Sequence, residues 1–199
     1  MTRTLKHSIA TRLVHMGLAI AVTLQLLTSL ILVAPAPDAT GNVWFEVHEY
    51  SGLSAMTFVL LFWLVVTARH VGTGWGMLFP WLSRARLAAV WADVKAHFAA
   101  LRHLRLPIHD DRSPLASAVH GLGLLLITAM ASSGTLYYFI NAGNPDAGGL
   151  IGVAMFIHLT LANLVWAYLI GHAGLAVLQH FLGTMRLSEM WSLRRAKPE

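Results

Sequence analysis

The chain contains no cysteine in 199 residues. That excludes disulfides, thiolate-held iron–sulfur clusters and covalent haem attachment through Cys-x-x-Cys-His. Charge is scarce as well. Only 12% of the residues are charged, about half the share usual in a soluble domain, and 56% are apolar. Mean hydropathy is +0.62. This is the composition of a membrane protein. The chain also lacks His-Glu-x-x-His, Gly-x-Ser-x-Gly and a phosphate-binding loop, so nothing suggests a hydrolytic or nucleotide site. It has neither an internal repeat nor a low-complexity tract.

Four long apolar segments are present: residues 9–33, 47–68, 114–140 and 150–172. Each reaches the ~20 residues that a helix needs to span a bilayer. Helices are expected because a lone segment in hydrocarbon must satisfy its backbone groups internally. The fold class is therefore all-α, an integral-membrane four-helix bundle in a single domain over residues 1–199. The first segment has features of a signal peptide, with basic residues before it and Val33-Ala-Pro-Ala-Pro after it. Its apolar run, residues 13–34, exceeds the 7–15 residues of a signal core and contains His15, so a retained helix is expected.

The loops differ sharply in cation content. Arg3, Lys6 and Arg12 stand at the start of the first span. Seven cations lie between the second and third, from Arg69 to Arg112, and Arg186, Arg194, Arg195 and Lys197 follow the fourth. The other two connections hold no Lys or Arg and carry Asp38, Glu46, Glu49 and Asp146 instead. The positive-inside rule then puts both termini on the cytoplasmic side. The basic balance encodes orientation and attraction to anionic membrane lipid, and no dedicated patch suggests nucleic-acid binding. Within the long loop, residues 70–112, Leu87, Val90, Trp91, Val94, Phe98 and Leu101 recur at helical spacing, with Arg86, Lys95 and Arg102 on other faces. This predicts an amphipathic helix, either at the lipid interface or packed under the bundle.

Histidine is abundant, with eleven copies. A histidine in hydrocarbon is costly and marks a functional-site candidate. His158 and His172 lie fourteen residues apart in the fourth span, nearly four helical turns, so they share one face about 21 Å apart. By depth, His48 matches His158 near the outer side, and His15 and His120 match His172 near the inner side. An axial haem iron needs an imidazole on each face of the porphyrin, and facing helices of a bundle offer such pairs. The economical arrangement is two haems b, one held by His48 with His158 and one by His15 with His172. Glycines beside these positions, Gly52 among them, would let a flat macrocycle approach a helix or would simply pack helices closely. A three-histidine zinc site from His15, His120 and His172 is the rival metal reading.

Arg12-Leu-Val-His15, Val47-His48 with Gly52, His120-Gly, and His158-Leu-Thr-Leu-Ala-Asn-Leu through Gly171-His172 together resemble the bacterial di-haem cytochrome b561 family. That family is related to the cytochrome b subunits of membrane-bound hydrogenases and formate dehydrogenases. The resemblance implies a multi-pass protein of the bacterial inner membrane with two haems b, ligated from the first, second and fourth helices. It implies electron transfer between a redox donor and the quinone pool, with a c-type cytochrome or dehydrogenase or hydrogenase subunits as partner protein. The long loop is closer to the enzyme-subunit type. His120 is then a candidate for a quinone site or a haem neighbour, and Arg12 and Arg112 for holding haem propionates. Two alternatives stand beside this reading. One is a stand-alone superoxide:ubiquinone oxidoreductase, which the acidic outer loops disfavour for an anionic substrate. The other is a non-haem four-helix membrane protein.

Overall fold

The computed structural model describes residues 7–36, 38–68, 73–103, 113–141 and 148–192. Four long helices form the molecule: α1 (Ile9–Ser29), α2 (Val43–Ala68), α5 (Pro114–Asn141) and α6 (Gly149–Phe181). Three lesser ones accompany them: α3 (Trp75–Leu78), α4 (Arg84–Arg102) and α7 (Ser188–Trp191). All four long helices are apolar and long enough to cross a membrane. No β-strand occurs among the described residues.

Side-chain caps set several boundaries. Ser8 accepts from the Thr11 amide and starts α1. Asn42 accepts from the Phe45 amide at 3.1 Å and starts α2 at Val43, four residues before the apolar run at 47. The same side chain donates to the Ile31 carbonyl and accepts from the Val33 amide, which ties the connection into a compact corner. α1 therefore ends at Ser29 rather than near residue 33. Glu46 and Glu49, counted with the outer loop from sequence, lie in the opening turns of α2. At the other extreme, α6 runs nine residues past His172, to Phe181. No breaker interrupts it until Gly183, whose φ of 72° supplies the left-handed residue that ends the helix. Its 33 residues span about 50 Å, more than the ~30 Å hydrocarbon core.

The helices pack in the order α1–α2–α5–α6. Leu26, Val59, Ile127, Ala131 and Val165 form the buried core, one or two from each long helix. Trp63 packs alongside this core, donates to Thr128 and stacks on Trp75 and Phe79. At Gly121 the carbonyl of Leu78 lies where a Cβ would be, 1.9 Å away, so α3 rests directly on the α5 backbone. Among the described residues, α6 makes no extended backbone approach to α1 or α2. It meets that pair through side chains, Val165 in the buried core and two histidines on either side of it.

Candidate functional site

Two pairs of histidines meet between α6 and the α1–α2 pair. At the end of the bundle where α1 begins, called here the terminal end, the rings of His15 and His172 have centroids 6.3 Å apart. At the far end, the rings of His48 and His158 are also 6.3 Å apart. Imidazole nitrogens bind transition metals at about 2.0 Å, and with about 1.1 Å from nitrogen to ring centre on each side, two rings flanking one metal atom sit about 6 Å apart. Both pairs have this separation. Between the two levels, seven residues from each α6 histidine, Val165 is buried in the apolar core. The core thus separates two polar sites on one side of α6.

The far pair is held by hydroxyls. Thr28 of α1 lies 2.9 Å from His48 Nδ1, and Ser133 of α5 lies 3.0 Å from His158 Nδ1. The Met130 carbonyl accepts from His158 Nδ1 at 3.2 Å. Gln25 donates to the His48 carbonyl and to Ser51 Oγ, pinning α1 to α2 at this depth. Gly134 leaves room for the His158 ring, since a Cβ there would sit 3.3 Å from Cε1. None of these supporting groups was named from sequence. The available signal was a polar side chain inside an apolar span, which Gln25, Thr28, Ser51 and Ser133 all provide.

The terminal pair is held by rings. Tyr168, one turn before His172 on α6, stacks on it at 5.4 Å with planes 6° apart. His120 of α5 meets the same ring edge-on at 5.2 Å and is itself exposed. Gly123 makes space for Tyr168: a Cβ there would fall 2.1 Å from the phenol oxygen. His15 Nδ1 is buried with no hydrogen-bond partner among the described residues. No group of three or more His, Cys, Asp or Glu side chains is arranged for a metal ion among the described residues, so the three-histidine zinc site does not form.

The remaining sequence candidates fall differently. Arg12 is 1% exposed, and its guanidinium donates to the Ser192 carbonyl, joining the start of α1 to the segment after α7. Arg112 lies outside the described residues. Gly52 faces the Gln25 amide at ordinary contact distance, 3.5 Å. Gly17 and Gly121 admit Phe58 and the α3 backbone, so at these two sites glycine serves helix packing.

Comparison with known proteins gives one match. The family model described as prokaryotic cytochrome b561 fits residues 6–193, nearly the whole chain. No curated protein and no solved structure matches it.

Proposed function

Since the chain belongs to the prokaryotic cytochrome b561 family, and so is a bacterial membrane protein of electron transport that binds haem b, we propose that it holds two haems b in line across the inner membrane. His48 and His158 would hold one, and His15 and His172 the other. The observation that carries this reading is the repeat of one ring separation, 6.3 Å, between facing histidines at two levels of α6. When bound, the haems supply one-electron carriers. The protein's residues do the rest. Four imidazoles set the line of the irons, and the apolar layer around Val165 excludes water between the two levels. Tyr168 fixes the plane of His172.

With both termini cytoplasmic, the far pair faces the periplasm, where a haem held by it would take electrons from a redox partner protein. Glu46 and Asp38 are exposed at that end and suit a basic donor such as a c-type cytochrome. A haem held by the terminal pair would be the one that reduces a quinone. His120, exposed and in ring contact with His172, would serve the quinone's proton, and Arg12, three residues before His15, is a cation near this pair. An exposed acidic surface disfavours superoxide as the periplasmic donor. The deciding measurement is a visible spectrum with haem quantitation of the purified protein. The expected result is a Soret band, a reduced α band and two extractable haems per chain. A well-folded, colourless preparation would refute the proposal.

A further inference from the structure

The two histidine pairs sit in different hydrogen-bonding surroundings, and the difference bears on the direction of electron flow. At the far end, the Thr28 hydroxyl donates its single proton to the carbonyl of Leu24 or Gln25, at 2.8 and 3.0 Å. Its oxygen is then an acceptor toward His48 Nδ1 at 2.9 Å. His48 therefore carries its proton on Nδ1 and keeps Nε2 bare. His158 reaches the same tautomer by a second route. A carbonyl only accepts, so the Met130 oxygen 3.2 Å from His158 Nδ1 requires a proton there. Ser133 Oγ, which donates to that same carbonyl at 2.9 Å, is a further acceptor at 3.0 Å. Both far imidazoles thus have an engaged Nδ1–H and a free Nε2. Among the described residues the terminal pair has no such hydrogen-bonded support. His15 Nδ1 is buried without a partner among the described residues, and His172 is held by ring contacts with Tyr168 and His120.

A hydrogen bond from the outer nitrogen of a metal-bound imidazole makes it a stronger donor, which favours the oxidised metal. We infer that Thr28 and Ser133, with the Met130 carbonyl, are positioning groups that lock His48 and His158 as Nε2 ligands and hold the far haem at a lower potential than the terminal one. An electron on a haem held at the far end would then pass downhill toward one held at the terminal end. This inference rests on the two-haem reading and adds the ordering of the two sites.

The test is a redox titration of the haem-loaded protein in detergent, followed by visible absorption. The haem lost in His158→Ala identifies the far site. Two one-electron steps are expected, the far haem reducing at the lower potential. Thr28→Val keeps the shape and removes the acceptor. It should raise the far reduction equilibrium several-fold, up to about tenfold or about 59 mV for one electron, and leave the terminal step in place. Thr28→Ser should restore the native value. If Thr28→Val does not assemble, Thr28→Ala removes the same oxygen with less bulk and carries the same reading. A far haem that titrates above the terminal one, or equal shifts at both sites, or no shift at either, overturns the ordering and leaves the two-haem reading intact. A native chain without two haems overturns that reading itself.

Discussion

A histidine belongs in a bilayer only where something repays its desolvation, and residue by residue this chain supplies the reasons unevenly. His158 and His172 were legible in the sequence because fourteen residues is nearly four turns of helix. Their ring partners, His48 and His15, followed from depth counting, and the ring separations agree with that pairing. The groups that orient the rings were not legible. Thr28, Ser133 and Tyr168 are ordinary residues of apolar helices, and their tasks depend on which helices face each other. On the proposed ligation, His158→Ala and His172→Ala should each leave one haem per chain, each removing a different component of the α band. Retention of both haems in either variant would sink the assignment.

Among the elements, α4 adds a contact that its pattern did not announce. Its apolar residues were expected to lie at the lipid interface or under the bundle, and α4 also meets α5 through a polar contact. Asp93 accepts from Ser113 Oγ at 2.6 Å and from the Leu115 amide at 3.0 Å, while Ser113 caps the Ala116 amide. A carboxylate thus sits at the positive end of α5, where unsatisfied amides and the helix dipole favour it. Burial alone would raise the Asp93 pKa. Hydrogen bonds from Ser113 and Leu115, with His97 beside it, outweigh burial and hold the carboxyl below its ordinary 3.8. A carboxyl held low in the fold contributes fully above its ordinary value and loses that contribution as the pH falls through the depressed one. Hydrogen exchange of the α4 amides should therefore quicken below the ordinary aspartate value, and Asp93→Asn should abolish that acid dependence. An unchanged profile in the variant would remove Asp93 from the account. The docking leaves Leu87, Trp91, Phe98 and Leu101 exposed, flanked by Arg84, Lys95 and Arg102. These are the parts of an interfacial helix, apolar groups for the acyl boundary and cations for headgroups. The absence of native cysteine makes the check simple. A spin label at Phe98→Cys should be quenched by oxygen dissolved in lipid, and one at Ala96→Cys by a water-soluble relaxant. Equal exposure of both to the aqueous agent would place α4 away from the membrane.

At the scale of the whole molecule, single cysteines also test the orientation. Asp38→Cys should react with an impermeant maleimide from the periplasmic side of intact spheroplasts, and Lys197→Cys only after lysis; the reverse pattern would invert the proposed direction of flow. The sequence by itself determined the four apolar helices, the helical loop segment and the two histidine levels, because hydrophobic length, cation placement and helical periodicity are local properties of the chain. It did not determine where α1 ends or α2 begins, since the Asn42 corner depends on two segments folding back together. Only the tertiary structure decided that hydroxyls hold one histidine pair and aromatic rings the other, and that α4 docks by a carboxylate. Each of these depends on the rotation of one helix about its axis relative to another. That rotation is fixed by packing across the bundle, and a single sequence carries no local signal for it.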